Sequence, residues 1–384
     1  MRVQSPDLGL SPQAAYRPRP VAGFTPARIV LAKGSNSSPA RCRLSDAICA
    51  AYPSAEVFEA FDTPHNRIRL RSDGPLGRHR EGKQTLVLAE HHSAVRQSTE
   101  NGNTCPNYWH FSPYGFCPYG CAYCYLAGTQ GVWFSPTVKV FVNLPEILDQ
   151  VDAIARRLCR PTAFYLGKLQ DGLALDRLTG YSREMVPFFV EHPLARLTLL
   201  TKSADVRNLL GIRHGGHTIL SWTLSPQAVV EAYEPNTPSL EQRLRAMEVC
   251  AEAGYPVRAV IMPILPLPDW ETIYGRFLVE VLRRVRLNRL TLGSICSYPQ
   301  AMRLTEQKLG GDNLISTQLD RAHDRAADRR LRFPRDLRRQ VYGRLLRMIR
   351  GVDAELAVGL CLEEPQMLDW LGISGSLGRC NCVL

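Results

Sequence analysis

The sequence predicts an α/β protein whose parallel sheet is covered by helices. Between about residues 105 and 300, short apolar segments alternate with longer segments of helical periodicity. The apolar segments, such as VRAVIMPI (257–264), are continuously hydrophobic, which is typical of parallel strands that are buried on both faces. Fewer strand and helix patterns precede residue 105, and they indicate a small α/β cap. This pattern alone leaves open whether the sheet is flat or closes into part of a barrel.

The individual elements follow from local patterns. Strands are predicted at 28–32, 84–90, 139–144, 163–167, 197–201, 218–225, 257–264 and 289–295, and helices at 44–53, 145–158, 183–192, 203–210 and 239–254. Ser45 is the predicted N-cap of the first helix. Ser239 and Gly254 are the predicted cap and stop of the last helix.

Four regions are predicted along the chain. Residues 1–27 read as a flexible lead-in, 28–104 as the N-terminal α/β cap, 105–300 as the core, and 301–384 as a basic helical region with a cysteine-rich C-terminal tail. The stretch 316–350 is very basic and helical in pattern. It can be a solvated arginine face or a surface that binds nucleic acid.

The composition is that of a globular protein with a basic surface. The formal net charge is +11 and the pI is near 9.2. This balance favours polyanionic partners such as DNA, although a generally basic surface accounts for it equally well. No run reaches the roughly 18 apolar residues of a membrane span, and the N-terminus has no apolar signal region. We therefore expect a cytoplasmic protein with no membrane partner.

Three of the twelve cysteines lie within eight residues, in the segment FCPYGCAYCYL (116–126). The spacing is C-x3-C-x2-C, with Tyr123 directly before the third cysteine. Three thiolates on one tight loop can ligate three irons of a [4Fe–4S] cube, whereas ferredoxin-type clusters use four cysteines. Cys117, Cys121 and Cys124 are therefore predicted to hold a [4Fe–4S] cluster with one open iron.

The open iron determines the chemistry that this motif predicts. It can bind the amino and carboxylate groups of S-adenosylmethionine and pass one electron to the sulfonium. Homolysis then yields a 5′-deoxyadenosyl radical, which abstracts hydrogen from a substrate, while the protein supplies ligation, orientation and exclusion of water. The motif thus predicts a radical S-adenosylmethionine (radical SAM) enzyme.

Two alternative roles for the three cysteines remain open. A zinc site needs four ligands, and His110 or Cys105 could complete one here. The protein would then be a zinc-stabilised nucleic-acid-binding protein without catalysis. The second alternative is three unrelated free thiols on an aromatic loop.

The motif and the segments after it resemble the spore photoproduct lyase family of radical SAM enzymes. The cysteine loop is similar to that family's C-x3-C-x2-C-Y-L, and KVFVNLPEILDQ to its strand and helix that follow. Further similar segments are LLTK (199–202), YEPNTPSLEQR (233–243) and AGYPVRAVIMPI (253–264). The resemblance covers roughly residues 28–360 in order and spacing.

The resemblance implies a partial (β/α) barrel of radical SAM type with the cluster at its open end. It implies that Lys202 binds the S-adenosylmethionine carboxylate, and it places Thr223 and Asp171 among the cofactor-binding residues. Tyr123 and Tyr125 match tyrosines that line the cofactor and the radical path. The implied partners are S-adenosylmethionine, a reductant such as flavodoxin or ferredoxin, and DNA; a radical SAM reaction on a non-DNA substrate is the alternative.

One segment departs from the family. The lyases return a hydrogen atom to the product radical from a cysteine in A-C-T-S-D, where this sequence reads GKLQD (167–171). Lys168 stands in the cysteine's place and has no weak X–H bond comparable to that of a thiol. Either another residue donates the hydrogen atom, for which Cys296 is a candidate, or the reaction differs.

The tail beyond residue 360 is a second departure. It carries Cys361, Cys380 and Cys382, which are predicted to form an auxiliary iron–sulfur site, with a fourth ligand such as Cys296. Zinc binding, a redox-active pair and no metal at all remain alternatives. Three cysteines with a Trp and a Leu-rich helix near one terminus indicate that the tail docks on the protein.

Overall fold

The computed structural model describes residues 16–100, 102–319, 328 and 330–384. The strands are β1 Arg28–Ala32, β2 Glu56–Ala60, β3 Thr85–Ala89, β4 Val95–Ser98, β5 Tyr108–Phe111, β6 Tyr114–Gly115, β7 Val138–Phe141, β8 Thr162–Leu166, β9 Ala195–Thr201, β10 Thr218–Thr223, β11 Val257–Ile264, β12 Arg289–Ser294, β13 Cys296–Ser297, β14 Leu331–Arg332 and β15 Val358–Leu360. The α-helices are α1 Pro39–Ala51, α2 Gly74–Lys83, α3 Gln130–Phe134, α4 Leu144–Leu158, α5 Asp176–Thr179, α6 Ser182–Glu191, α7 Gln227–Tyr233, α8 Leu240–Glu252, α9 Trp270–Arg284, α10 Pro299–Leu309, α11 Leu314–Thr317, α12 Arg335–Val352 and α13 Pro365–Trp370. Tyr125–Gly128 and Ser374–Ser376 form short 3-10 helices.

The larger sheet has eight strands in the order β15-β12-β11-β10-β9-β8-β5-β4. Every neighbouring pair is parallel except β4 with β5. Within the described residues β15 and β4 do not pair with each other, so the sheet stays open. Its central strands are almost wholly buried, because helices pack on the sheet. The prediction of a helix-covered parallel sheet is confirmed.

The smaller sheet has the order β2-β1-β3-β7-β6 and is parallel except for β6 with β7. Its strand β7 comes after the cysteine loop, whereas β4 of the larger sheet comes before residue 105. The larger sheet also takes in β15 from the C-terminal region. The predicted region boundaries at 104 and 300 therefore do not follow the sheets. Pairing between distant strands is not encoded in the local patterns from which those boundaries were drawn.

The helix caps give one confirmation and one correction. Ser239 caps α8 in a reciprocal capping box with Gln242, and Gly254 adopts a left-handed φ of 87° just beyond the end of that helix. The predicted cap at Ser45 is wrong. Ser38 caps α1 instead, because its backbone is extended and the next residue is proline, which suits a first helical turn. Ser45 lies inside α1, where its hydroxyl donates to the Ser35 carbonyl (3.2 Å).

The helix predicted over 203–210 is also wrong. This stretch forms turns after β9. The Ser203 amide bonds to the Thr201 hydroxyl (2.8 Å), and the Asp205 amide to the Ser203 hydroxyl (3.1 Å). Such local bonds compete with a helical hydrogen-bond ladder, so the apolar spacing does not suffice to form a helix.

Two predicted regions differ from expectation in part. Residues 1–15 of the lead-in lie outside the described residues. In the rest of the lead-in, Val21 and Phe24 are buried in the main core, so this segment is packed rather than flexible. In the basic stretch, residues 320–327 and 329 lie outside the described residues. In the described part of the basic stretch, α12 is helical as predicted. Residues 331–332, by contrast, form β14 and pair with β13.

Two apolar cores hold these layers together. The main core runs through both sheets and the helices that cover them. A second core surrounds the cysteine loop and includes residues of α10 and α11. The loop is therefore held between the larger sheet and the helices that follow it in the chain.

Candidate active site

A cavity of about 270 Å³ opens at the carboxyl ends of the parallel strands. Its walls include residues at or just beyond the ends of β8, β9, β10 and β12, namely Lys168, Lys202, Thr223 and Ile295. In parallel α/β proteins, ligands bind at this edge of the sheet. The cavity is therefore the candidate active site.

All three cysteines of the C-x3-C-x2-C motif line this cavity. They lie on the loop between β6 and the 3-10 helix Tyr125–Gly128, with Cys117 and Cys121 buried and Cys124 half-buried. The structure thus places the three thiols in the lining of one cavity.

The loop is fixed from both sides of the second cysteine. The Gly120 amide donates to the Pro235 carbonyl (3.0 Å), and the Ala122 amide to the Tyr233 carbonyl (2.8 Å). A Cβ at position 120 would lie 3.1 Å from both the ring and the carbonyl oxygen of Pro235. Glycine at this position allows the close approach that holds the loop in place.

Two lysines lie beside the cysteine loop. The Lys83 ammonium donates to the carbonyl oxygens of Cys117 and Tyr119, the latter at 2.7 Å. Burial lowers the pKa of Lys308 on α10, and the nearby Cys124 acts in the opposite direction. Sequence analysis missed both lysines, because they come from helices that lie far from the motif in the chain.

Burial raises the pKa of Cys117 and Cys121, in the second case to about 11. The positive charges of Lys83 and Lys202 act in the opposite direction. The protein alone therefore keeps these thiols protonated, and a metal centre is needed to deprotonate them. A set of three soft ligands with cations close by fits an anionic iron–sulfur cluster.

Lys202 stands across the cavity in a network of buried side chains. Its ammonium donates to the Tyr123 hydroxyl (2.8 Å) and to Glu234 Oε1 (2.6 Å). The Tyr123 hydroxyl also donates to Glu234 Oε1. The other carboxylate oxygen accepts from Arg243 Nη2 (2.5 Å), and neither side chain of this pair is exposed. The network brings two sequence-predicted residues together with two that sequence analysis did not assign.

Glu234 is the central member of this network. Burial alone would raise its pKa, but Lys202 and Arg243 lower it to about 2, so the carboxylate is charged. Glu234 lies in the segment YEPNTPSLEQR, which carried part of the family resemblance but suggested no role for a single residue.

Asp171 is predicted as a cofactor-binding residue, and it does line the cavity. Its carboxylate accepts hydrogen bonds from the Thr201 hydroxyl (2.6 Å) and from the amides of Lys202 (2.6 Å), Leu173 (3.0 Å) and Ala174 (2.8 Å). Burial raises its pKa, although these bonds oppose that effect. With four donors from the protein, Asp171 is placed to fix the end of β9.

Thr223 and Tyr125 also lie in the cavity wall. Thr223 is buried at the end of β10, and its carbonyl accepts from Arg243 Nη1 (3.1 Å). The Tyr125 hydroxyl donates to the Lys168 carbonyl (2.9 Å). The predicted tyrosines thus approach the cavity from different sides, Tyr123 at Lys202 and Tyr125 at Lys168.

Lys168, which the sequence resemblance puts at the position of a hydrogen-donor cysteine, is held by a local charge network. Its ammonium contacts the Ser98 hydroxyl, pairs with Glu100 (3.2 Å) and lies 5.2 Å from the centre of the Tyr108 ring. Glu100 pairs in turn with Arg330 (3.2 Å). This part of the cavity wall therefore presents paired charges.

Four further thiols meet in the same wall and form the tail thiol cluster, which consists of Cys105, Cys361, Cys380 and Cys382. The neighbouring thiols of Cys105 and Cys382 lower the pKa of Cys380, whereas those of Cys361 and Cys380 raise the pKa of Cys105. The structure thus brings together the three predicted tail cysteines, but with Cys105 beside them. Cys296 lines another part of the cavity. Burial raises the pKa of its thiol, and Arg332 and Arg330 partly oppose this effect.

Among the residues that the structure describes, no three His, Cys, Asp or Glu side chains are arranged to hold a metal ion. This applies equally to the motif cysteines and to the tail thiol cluster. A single tetrahedral zinc ion needs its ligand atoms about 2.3 Å from one point, whereas an iron–sulfur cube distributes its ligands over several irons.

A family model described as "Spore photoproduct lyase" matches residues 38–294. The spore photoproduct lyase of Bacillus subtilis (strain 168) is 31% identical over 223 residues, which are 57% of this chain and 63% of that protein. The spore photoproduct lyase of a Geobacillus species is 30% identical over 248 residues, or 61% of this chain and 71% of that protein. The matched region thus spans just under two thirds of the Bacillus subtilis protein.

Solved structures resemble the whole fold. A spore photoproduct lyase complexed with dinucleoside spore photoproduct has a TM-score of 0.76 at 24% identity, covering 88% of this chain and 100% of that chain. A mutant lyase with bound S-adenosylmethionine and dinucleoside spore photoproduct has a TM-score of 0.75 at 23% identity, covering 88% and 98%. This likeness confirms the predicted partial barrel of radical SAM type. No helix in the described ranges is both long and apolar enough to cross a membrane.

Proposed function

The chain belongs to the spore photoproduct lyase family, and from this membership we propose that it is a radical SAM enzyme. The observation that carries the proposal is the cavity itself. Three motif cysteines form one wall, and Lys202 and Thr223 lie at the ends of strands in the same cavity. Three thiols and a nearby cation are what an open-iron cluster with S-adenosylmethionine requires.

When bound, the [4Fe–4S] cluster and S-adenosylmethionine supply a 5′-deoxyadenosyl radical that removes a hydrogen atom from the substrate. Cys117, Cys121 and Cys124 hold the cluster. Lys202 binds the carboxylate of S-adenosylmethionine, and the Thr223 hydroxyl offers a further polar contact. The buried walls exclude water, which protects a radical from side reactions.

Glu234 positions Lys202 in this proposal. The carboxylate pairs with the ammonium and holds it in the cavity wall, while Lys202 and Arg243 keep the carboxylate charged. Asp171 acts similarly through the backbone, because it accepts the Lys202 amide. Both acids are positioning residues that act through Lys202.

Tyr123 and Tyr125 are proposed to line the radical path. The Tyr123 hydroxyl is held by Glu234, so it has a fixed orientation beside Lys202. The Tyr125 hydroxyl is held at the Lys168 backbone, close to the departure from the family. Fixed orientations keep the reacting groups aligned, which is a principal contribution of a protein to such chemistry.

We propose a DNA base lesion as the substrate. Two structurally similar lyases are complexed with dinucleoside spore photoproduct, and the net charge of +11 favours a polyanionic partner. A radical SAM reaction on a non-DNA substrate is the second candidate. Lys168 favours that alternative, since the paired ammonium cannot return a hydrogen atom to the product radical.

The electron that starts the reaction is proposed to come from a flavodoxin or ferredoxin. Lys83 and Lys308 lie next to the motif cysteines, and cations near a cluster suit an acidic electron-transfer partner. An auxiliary iron–sulfur cluster at the tail cysteines is a separate part of the proposal, because its ligands differ from those of the first cluster. The first step of the reaction does not depend on it.

The substrate is tested with anaerobically reconstituted enzyme, S-adenosylmethionine, dithionite and dinucleoside spore photoproduct. We expect loss of the lesion and recovery of the unlinked thymine dinucleoside by mass spectrometry. The Cys121→Ala variant is the negative control. If 5′-deoxyadenosine forms while the lesion stays intact, the DNA-lesion proposal is overturned and the radical SAM proposal stands.

A further inference from the structure

The tail thiol cluster contains four cysteines that come from two distant parts of the chain. The Leu362 amide donates to Cys105 Sγ (3.4 Å), which puts Cys105 beside Cys361. Cys380 and Cys382 come shortly after Gly378, whose amide donates to the Thr104 carbonyl (3.2 Å). All four line the same cavity as the motif cysteines, and none of them forms a disulfide. Four convergent free thiols are a ligand set that the first cluster does not use.

Backbone hydrogen bonds hold the segment before β5 against the tail. The Thr104 hydroxyl donates to the Leu360 carbonyl (3.0 Å), and the Gly378 amide donates to the Thr104 carbonyl (3.2 Å). The Leu362 amide donates to Cys105 Sγ (3.4 Å). Cys105 is therefore held where both cysteine-bearing parts of the tail meet, which is the place of a fourth ligand.

The end of the tail is anchored inside the larger sheet. Asn381, which stands between Cys380 and Cys382 in the sequence, is buried. Its side chain accepts from the Thr291 hydroxyl (2.9 Å) and donates to the Ser221 hydroxyl (3.3 Å) and the Ala259 carbonyl (3.0 Å). These partners come from β12, β10 and β11, so the tail reaches into the barrel and holds its two cysteines there.

Two arginines supply positive charge next to the thiols. Arg289 Nη1 donates to the Cys380 carbonyl (2.7 Å), and Arg258 Nη1 to the Val383 carbonyl (2.5 Å). Arg258 is buried, and its Nε has no hydrogen-bond partner among the described residues. A buried arginine with an unused donor and a half-buried arginine next to four thiols suit a ligand with net negative charge.

We propose that the tail thiol cluster ligates a second iron–sulfur cluster, of the four-cysteine [4Fe–4S] type. This cluster stands in the wall of the radical cavity and differs from the first in having no open iron. Cys105 is its fourth ligand, in place of Cys296.

Iron–sulfur is favoured over zinc by position and by geometry. No single-ion site is formed by the described residues, whereas a [4Fe–4S] cube distributes its four thiolates over four irons. A redox cofactor also suits a cavity whose opposite wall is proposed to generate a radical. The cluster proposal does not need the radical proposal to be right, because its ligands are separate.

The test removes the three motif cysteines and measures how much iron and sulfide the protein still binds. A variant with Cys117→Ala, Cys121→Ala and Cys124→Ala is purified and reconstituted anaerobically with iron and sulfide. We expect about four irons and about four sulfides per chain. Adding Cys105→Ala should reduce both to background, whereas adding Cys250→Ala, a buried core cysteine, should leave both unchanged. Circular dichroism confirms that each variant is folded.

Three results would overturn the proposal. The triple variant could bind no iron, it could bind one zinc ion instead, or thiol titration of the native protein could show that the cluster residues are disulfides. Iron retained after Cys105→Ala but lost after Cys296→Ala would contradict the assignment of the fourth ligand. None of these results depends on cleavage of S-adenosylmethionine, so the proposed function is tested separately.

Discussion

At the scale of single residues, Glu234 connects the cofactor side of the cavity to the helix behind it. It accepts hydrogen bonds from Lys202 and Tyr123 and pairs with Arg243, which is fully buried. A buried arginine without its carboxylate is an uncompensated charge in a medium of low dielectric constant. The geometry of the site therefore depends on a residue that is not expected to touch the substrate.

Glu234→Gln should lower the free energy of unfolding by about 3 kcal/mol, because it leaves Arg243 charged, buried and unpaired. Urea unfolding followed by circular dichroism measures the change. The matched control is Glu271→Gln, which breaks the exposed pair with Arg344 and should cost less than about 1 kcal/mol. Equal losses of unfolding free energy for the two substitutions would show that the buried pair stabilises the protein no more than an exposed pair does.

The same carboxylate predicts a pH dependence. Lys202 and Arg243 lower the pKa of Glu234 from the ordinary value near 4.5 to about 2. Its contribution to the free energy of unfolding is therefore complete above pH 4.5 and is lost as the pH falls toward 2. The difference in unfolding free energy between the native protein and Glu234→Gln should therefore shrink between about pH 5 and pH 3. Urea titrations at several pH values check this, and a difference that stays constant would contradict it.

Lys202→Met should raise the KM for S-adenosylmethionine at least about tenfold, which corresponds to about 1.4 kcal/mol of lost binding. The ammonium is the proposed partner of the cofactor carboxylate. Iron content should not change, since no motif cysteine is touched. Lys33→Met, at an exposed lysine, is the control. An unchanged KM would remove Lys202 from the cofactor site.

The residues that could be read from the sequence are those with a local signal. The motif cysteines are three thiols at fixed spacing, and Lys202 ends a segment with a family likeness. Glu234 and Cys105 have no comparable signal, because each acquires its role only when a distant segment folds against it. A lone glutamate or cysteine in a sequence carries too little information to assign such a role.

At the scale of elements, β15 and the tail after it form one unit on the larger sheet. β15 pairs with β12, and the Cys361 amide continues this contact to the Leu292 carbonyl (2.8 Å). The backbone of the tail then returns past Gly359, where an added Cβ would lie 2.3 Å from the Arg379 carbonyl oxygen. The tail can dock in this position because residue 359 has no side chain.

Gly359→Ala should displace the tail and destabilise the protein by about 1–3 kcal/mol, the usual cost of overpacking. Hydrogen exchange of residues 377–384 and iron content measure the displacement, and both should report loss of the docked tail. Gly351→Ala is the control, since an added Cβ there meets nothing within 4 Å. Unchanged exchange in Gly359→Ala would show that the tail is held in some other way.

All eight predicted strands form, because continuous apolar runs are a strong local signal. Strands without such a run were not predicted, among them the largely exposed β2 and β4. Helices were less certain where polar residues compete for the backbone. The turns over 203–210 arise from hydroxyl bonds of Thr201 and Ser203, which apolar spacing does not reveal. The cap of α1 was misplaced because the apolar pattern begins several residues after the true start at Ser38.

At the scale of the whole molecule, the larger sheet, the cysteine loop and the returning tail enclose one cavity. β7, which follows the cysteine loop, pairs with β3 in the smaller sheet. β15, from the C-terminal region, pairs with β12 in the larger sheet. The alternation of strands and helices predicts the class of this fold. The strand exchange between regions could not be predicted, because it depends on long-range pairing rather than on local pattern.

The central claim is that Cys117, Cys121 and Cys124 hold the cluster with which S-adenosylmethionine is cleaved. Its most direct test measures 5′-deoxyadenosine after anaerobically reconstituted protein is mixed with S-adenosylmethionine and dithionite. We expect a brown iron–sulfur protein that forms 5′-deoxyadenosine, and a Cys121→Ala variant that forms none. A colourless zinc protein that leaves S-adenosylmethionine intact, or a Cys121→Ala variant as active as the native protein, would contradict the claim.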